Sequence, residues 1–314
     1  MAPTDPAEAG AVRAHGLEAR HLGGLLALSG AAGWNQDADD WAHMLSSGRG
    51  WGLSAADGTL VASTVVLPYG SGFGTGTGTD MSMGGGFAWI SMVLVLPSCR
   101  GRGFASRLLA EALDWLDARH LVPVLDATPA GHPVYRRQGF VDTWGLARFA
   151  REPAAAASVA APPAGVRIEP LADAHWPGIL ALDAPAFGAD RHILLRALAA
   201  RAPDLAHVAT YGGSVSGFVL GRPGRDATQL GPLVASRAEV GIALLDAALA
   251  AVPGRVFADV PDAQQAMREA LGARGFRVQR PFTRLVCPGE AAAADVRAPG
   301  DPTTLRLIAG PELG

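Results

Sequence analysis

The spacing of apolar positions in the N-terminal half of the chain predicts both strands and helices. Short apolar runs predict strands, and Asp57-Gly58 between two of them is typical of a hairpin turn. Apolar residues three and four positions apart predict helices, one of which Asp37 or Asp39 could cap. In chain order we predict a strand at 12–17, helices at 21–28 and within 33–45, strands at 52–54, 59–67 and 87–95, a helix at 104–120 and a strand at 121–126.

The C-terminal half shows a similar succession of elements. It follows a proline- and alanine-rich run at 152–165 that has the composition of a linker. Beyond this run we predict strands at 166–170, twice within 208–220 and at 256–260, with helices at 172–183, around 244–249 and before Gly275.

The two halves are predicted to be copies of one fold. LLAEAL, which starts at Leu108, aligns with LLDAAL, which starts at Leu244, and the same offset of 136 residues places Gly139-Phe140 on Gly275-Phe276. We therefore predict an α/β fold with a mixed α+β sheet, in two tandem domains. Their predicted bounds are 1–151 and 166–289, separated by the linker at 152–165 and followed by a tail at 290–314, whose LRLIAG stretch could add an apolar segment to either domain.

The segment at 69–86 is dense in glycine and predicts an extended loop between two strands. Such a loop could cover a substrate or be a surface insertion without a role in binding. The sequence leaves both interpretations open.

Composition narrows the class of protein. The chain has 314 residues, 49% of them apolar, which is enough for two cores, and its net charge of −3 argues against nucleic-acid binding. The N-terminus lacks the basic and apolar pattern of a signal peptide, and no apolar stretch reaches membrane-spanning length. We therefore expect a cytoplasmic protein that does not bind membranes.

Cys99 and Cys287 lie in opposite halves and suggest neither a metal site nor a disulfide.

The clearest chemical motif is the turn between the strand at 87–95 and the following helix. Its sequence, Arg100-Gly101-Arg102-Gly103-Phe104-Ala105, precedes a helix N-terminus, where unpaired N–H groups and the helix dipole favour anions. The chain contains no lysine, so an ordinary P-loop is excluded, and the spacing is not that of a dinucleotide-binding GxGxxG motif. We predict a site for a phosphate-bearing ligand.

The turn has the pattern R-x-x-G-x-A and resembles the diphosphate loop of the GCN5-related N-acetyltransferases (GNATs). Further along the chain, Tyr135 stands in a Tyr-x-x-x-Gly-Phe sequence that also resembles this family. The resemblance implies an acetyl-CoA-dependent N-acetyltransferase without a metal, in which the acceptor amine attacks directly in a ternary complex. The residues that would bind the cofactor are Met92, Val93, Leu94, Val95, Arg100, Gly101, Arg102, Gly103, Phe104, Ala105 and Ser106.

Only the N-terminal copy is predicted to bind the cofactor. The offset of the repeat places Glu239 where Gly103 stands in the first copy. A carboxylate at that position would repel a diphosphate.

The resemblance also implies catalytic roles. Tyr135 would be the general acid for the leaving sulfur. The strand at 89–95 has no carboxylate to act as base, so Asp126, His132, a water chain or a carboxylate at Gly314 remain candidates.

The acceptor is expected to be a small or amino-acid-like primary amine, with a peptide or protein amine as the alternative. Trp34, Asn35 and Trp41 lie where the family binds its acceptor, although both tryptophans could equally be core anchors. A non-catalytic acyl-CoA-binding or sensing protein is the rival interpretation. An oligomer is possible.

Overall fold

The computed structural model describes residues 12–70, 86–153, 161–288 and 297–314. These residues belong to two compact units, Met1–Pro123 and Val124–Gly314. Most of the glycine-rich segment predicted to form a loop, and half of the predicted linker, lie outside the described residues.

The first unit contains an antiparallel sheet in the order β1-β2-β3-β4 together with three helices. Its elements are β1 (Arg13–Gly16), α1 (Leu22–Ala31), α2 (Ala38–Ser47), β2 (Arg49–Ser54), β3 (Leu60–Tyr69), β4 (Phe87–Val95) and α3 (Phe104–Asp117). The predicted elements of this part are confirmed, with shifts of a few residues at their ends.

Helices of the first unit cover both faces of this sheet. Met44 of α2 contacts the Ser91 hydroxyl on one face, and Trp115 of α3 packs edge-on against Trp51 on the other. Asp37 caps α2 by accepting a hydrogen bond from the backbone N–H of Asp40, as its position before the helix predicts. The sheet is therefore a sandwiched layer, and its strands β3 and β4 are almost fully buried.

The second unit is built on a sheet in the order β5-β12-β6-β11-β10-β9-β8-β7, with β13 paired to β10. Among the pairings described within this unit, only β10 with β11 is parallel. The strands are β5 (Val122–Ala127), β6 (Val141–Arg151), β7 (Val166–Pro170), β8 (His207–Tyr211), β9 (Ser214–Arg222), β10 (Thr228–Ala235), β11 (Val256–Pro261), β12 (Arg277–Val286) and β13 (Leu305–Leu307). The helices are α4 (His132–Arg137), α5 (Trp176–Phe187), α6 (His192–Arg201), α7 (Ala238–Ala250) and α8 (Gln265–Ala273).

Strands from the two halves of the chain alternate in this sheet. β12 lies between β5 and β6, which precede it by more than 120 residues, and β6 in turn lies between β12 and β11. The sequence pattern did not predict β6, β10, β12 or α6. In β6 the buried positions include Arg148 and Arg151, so its sequence lacks the apolar run by which other strands were recognised.

The predicted repeat is confirmed by the order of elements and by matching local geometry. α4 and α8 both end before a glycine in the left-handed region, Gly139 with φ 86° and Gly275 with φ 85°. Phe140 and Phe276, which follow these glycines, are both buried. The tail after residue 297 adds β13 to the second unit.

Candidate active site

A bulge interrupts β4 directly before the phosphate-loop motif. Pairing with β3 passes from Val65–Ser91 to Ser63–Leu94, so Met92 and Val93 together face one residue of β3. Met92 has a φ of 52°, which is uncommon for a residue other than glycine and costs about 1 kcal/mol or more. The Ser63 hydroxyl donates a hydrogen bond of 2.8 Å to the Met92 carbonyl and holds the bulge. Bulges of this kind change the direction of a strand and are frequent beside functional sites.

The turn after β4 has the backbone that its glycines predict. Gly101 and Gly103 both lie in the left-handed region, with φ of 76° and 77°, and a Cβ at either would meet open space. Gly103 is the N-cap of α3, and no side chain among the described residues caps the helix. The turn that precedes the first-turn N–H groups of α3 is therefore exposed and open to an approaching anion.

Two arginines flank this turn. The Arg100 Nε donates to the Val95 carbonyl at 3.3 Å, and the Arg102 guanidinium lies 4.9 Å from the centre of the Phe104 ring. Both side chains are exposed and add positive charge beside the uncapped helix end.

The corresponding position in the second unit has a different structure. α7 begins after Arg237, whose φ of −133° is extended, and no glycine turn precedes it. Glu239 stands in the first turn of α7 and pairs with Arg237 at 3.3 Å. The features that make the first turn suitable for phosphate are missing from this described stretch.

Tyr135 lies on α4 beside the end of β5. Its ring packs edge-on against Phe140 at 5.9 Å. Burial raises the pKa of the Tyr135 phenol above its ordinary value. The hydroxyl therefore keeps its proton across the neutral pH range.

His132, also on α4, forms a pair with Asp142 that sequence analysis did not identify. The His132 Nε2 is 2.9 Å and 3.0 Å from the two Asp142 carboxylate oxygens. Both residues line a cleft of about 380 Å³ in the second unit, together with Ala127, Pro129, Pro281, Phe282 and Thr283. An imidazole oriented by a carboxylate is suited to accept a proton.

Asp126 is in a different environment. Both of its carboxylate oxygens accept hydrogen bonds of 2.8 Å from Arg284, the residue opposite it on β12. The two side chains are completely buried, and the Arg284 guanidinium also stacks on Trp144 at 4.0 Å. Burial raises the pKa of Asp126 and the guanidinium opposes this rise.

The predicted acceptor residues separate into two groups. Trp41 is fully buried and its indole N–H donates to Ser29 at 3.3 Å, so it is a core anchor, one of the two interpretations open from the sequence. Trp34 is half-buried, and Asn35 is buried in the connection between α1 and α2. Next to Asn35, the side-chain amide oxygen Oε1 of Gln36 is buried without a hydrogen-bond partner in the described part of the chain. No sequence motif distinguishes Gln36 or Asp142, because both become notable only through their surroundings.

The described ranges contain no group of three metal-binding side chains. Nor does any helix within them have the length and apolarity needed to cross a bilayer.

The duplicated order of elements and the mixed sheets define a class of two-domain α/β proteins. Residues 30–140 match the model of the acetyltransferase (GNAT) family, and residues 179–296 match an acetyltransferase (GNAT) domain model. The chain belongs to the GNAT superfamily and carries two GNAT domains in tandem.

Three similar proteins cover most of the chain. An uncharacterised N-acetyltransferase of Bacillus subtilis, YitH, is 21% identical over 83% of this chain and 86% of its own length. A putative acetyltransferase from Pyrococcus horikoshii has a similar structure, with a TM-score of 0.74, 16% identity and coverage of 97% and 96% of the two chains. A tandem GNAT protein from the clavulanic acid biosynthesis pathway has a TM-score of 0.59 with 17% identity, over 91% of this chain and all of that one. At these identities the solved structures establish the fold.

Proposed function

We propose that the chain transfers an acetyl group from acetyl-CoA to a primary amine and that only the N-terminal copy binds the cofactor. The observation that carries this proposal is the pair of left-handed glycines before the uncapped helix α3, set against Glu239 in the repeat. The first arrangement presents N–H groups and two arginines to a diphosphate, whereas the second presents a carboxylate.

The residues at the first turn fit the group they would hold. Around Gly101 and Gly103 there is open space where a diphosphate oxygen could approach the backbone. The bulge at Met92 turns the end of β4, so that the backbone from Met92 to Val95 would pair with the pantetheine arm. When bound, acetyl-CoA supplies a thioester whose acyl carbon is open to attack.

We assign proton transfer to His132 and Tyr135. As the amine nitrogen bonds to the acyl carbon and the carbon–sulfur bond breaks, the amine proton passes to His132 and Tyr135 gives its proton to the departing sulfur. Asp142 orients His132. We prefer His132 to Asp126 because both oxygens of Asp126 are engaged by Arg284 and shielded from solvent.

The side-chain amide oxygen of Gln36, which has no partner among the described residues, supports a small amine acceptor. A buried acceptor atom without a donor is costly, and an N–H donor of the substrate would satisfy it.

The phosphate turn is tested by titrating acetyl-CoA calorimetrically into Gly103→Glu. We expect affinity to fall by about tenfold or more, because the carboxylate repels the diphosphate. Gly213→Glu is the matched control, since Gly213 also has a positive φ, lies exposed in a hairpin turn and has no neighbour within 4 Å of a Cβ. Equal affinities in the two variants would contradict the assignment.

Catalysis is separated from binding by measuring free thiol released from acetyl-CoA with a panel of small amines. Release that depends on the amine supports the transferase. Tight binding without amine-dependent release would identify an acyl-CoA sensor instead.

A further inference from the structure

In the second unit, a late segment of the chain fills the gap where two parallel strands separate. β10 and β11 pair from Thr228–Val256 to Leu230–Ala258 and then diverge. Beyond this point β13 takes the free edge of β10, pairing Leu307 with Leu233 and Leu305 with Val234. On the other side of the gap, the backbone N–H of Ile308 donates to the Asp259 carbonyl of β11 at 3.0 Å. The segment thus joins both separated strands.

This gap is the structural counterpart of the proposed pantetheine position in the first unit. β10 carries a bulge like that of β4, because its pairing with β9 passes from Leu230–Gly221 to Leu233–Val219. The two bulges align Leu94 and Val95 of β4 with Leu233 and Val234 of β10. β13 therefore occupies the strand edge that corresponds to the one assigned to pantetheine.

The apolar side chains of the segment are as buried as those of a core element. Five of its apolar side chains are no more than 1% exposed: Leu305, Leu307, Ile308, Ala309 and Leu313. The Ile308 carbonyl sits so close to Gly231 that a Cβ there would overlap with it.

Buried arginines hold the segment from the other side. Arg222 donates to the Ala309 carbonyl and pairs with Glu312, while Arg191 donates to the Gly314 carbonyl oxygen at 2.8 Å. Arg191 is itself held by both oxygens of Asp183.

A further side chain of the segment covers the start of α7. The Arg306 guanidinium donates to the Ala235 carbonyl at the end of β10 and to Gln264, and its stem packs on Gly241. Gly241 is the residue that the repeat aligns with Ala105 of the phosphate turn.

We propose that residues 305–313, here called the internal strand segment, occupy an acyl-pantetheine groove retained by the second unit. The groove would accept a pantetheine thioester without a diphosphate if the segment were displaced. This inference rests on the proposed function, since that function assigns the equivalent edge of β4 to pantetheine.

The test uses S-acetylpantetheine, which lacks the diphosphate that Glu239 would repel. Residues 289–296 are replaced by a protease recognition sequence, and the folded full-length chain is cut there. The internal strand segment is then exchanged for a fluorescent peptide of residues 297–314. We expect S-acetylpantetheine to displace this peptide, as the unlabelled peptide does, whereas a peptide with Leu307→Asp should not.

Binding stoichiometry separates the two proposals. The uncut chain should bind one acetyl-CoA, and if it binds none the proposed function fails. If it binds one acetyl-CoA but excess S-acetylpantetheine leaves the peptide in place in the cut chain, the groove proposal alone is wrong.

A second variant tests the proposal if the internal strand segment of the cut chain does not exchange with the fluorescent peptide. Leu307→Ala in the uncut chain should weaken the segment and raise the number of bound S-acetylpantetheine molecules from one to two. Leu198→Ala, a truncation at another buried leucine, should leave it at one. A stoichiometry of one in both variants would overturn the proposal.

Discussion

Proton transfer at the level of single residues depends on how each group is shielded from water. The Tyr135 phenol has a raised pKa, so it stays protonated at the pH where an amine acceptor begins to lose its own proton. His132 is half-exposed in its cleft and is held by Asp142. The two residues are one turn apart on α4, which sets their relative position.

We predict that Tyr135→Phe lowers kcat by about 10²- to 10⁴-fold, since this is the usual contribution of a general acid. The affinity for acetyl-CoA should not change, because the substitution removes only the hydroxyl. Steady-state kinetics together with calorimetry check both quantities. An unchanged kcat would remove Tyr135 from the mechanism. In the wild type, ionisation of Tyr135 should produce no loss of rate below about pH 10, because its pKa is raised.

A different residue links stability to pH. His207 of β8 is partly buried, and its Nδ1 has no partner in the described residues. Desolvation lowers its pKa below the ordinary 6.5, although a backbone hydrogen bond with Leu205 and the charge of Asp204 oppose this. The unfolded chain therefore binds more protons than the folded one below this pH, and folding stability falls as pH decreases.

We expect the free energy of unfolding to decrease between about pH 7.5 and pH 5.5 more in the wild type than in His207→Gln. Urea titrations of both proteins at the two pH values measure the difference. Identical decreases would mean that His207 does not contribute.

The sequence carried unequal information about these residues. The turn at 100–105 could be predicted because the left-handed glycines and arginines act through neighbours in the chain. Asp142 could not be predicted because its importance comes from its contact with His132, ten residues earlier in the chain. Gln36 could not be predicted because it stands out only by its buried side-chain oxygen, which has no partner among the described residues.

At the level of elements, a strand or turn could be predicted where neighbouring residues determine it, but not where it depends on pairing with a distant strand. The hairpin of β2 and β3 is specified by its own turn, whereas the bulge of β4 exists only relative to β3. β6 escaped prediction because its polar positions are satisfied by residues far along the chain. Arg148 of β6, for example, forms a fully buried pair with Asp259 of β11, with N–O distances of 2.9 Å and 2.8 Å.

We predict that Asp259→Asn destabilises the protein by about 3–5 kcal/mol, because it leaves the Arg148 charge buried without a partner. The double variant Arg148→Met/Asp259→Leu should recover most of this loss, since it removes both charges. Chemical denaturation measures each free energy. The partly exposed pair Arg225–Asp226 provides the control, and Asp226→Asn should cost less than about 1 kcal/mol. Equal losses for the two Asn variants would contradict this account.

At the level of the whole molecule, the repeat could be predicted from the sequence. The exchange of strands, by which strands from the two halves of the chain alternate in one sheet, could not. Landmarks such as Gly139-Phe140 and Gly275-Phe276 recur at a fixed offset and identify two copies. Their apolar patterns carry no information about which copy supplies the neighbouring strand.

The exchange predicts how the chain responds to being divided. A chain split between residues 153 and 161 should assemble when both fragments are expressed together, and neither fragment should fold alone, because β12 would be missing from between β5 and β6. Co-purification and circular dichroism of the fragments test this. A fragment 1–153 that is folded and monomeric by itself would contradict it.

The same exchange has a consequence for synthesis on the ribosome. At about 5–20 residues per second, the stretch from β6 to the end of β12 takes several seconds or more to translate. During that interval β5 and β6 have emerged but the strand that joins them has not. The nascent protein must keep these edges from pairing with other chains. The order of the two copies in the gene therefore sets how long the edges of β5 and β6 stay exposed, and accessible to chaperones, during synthesis.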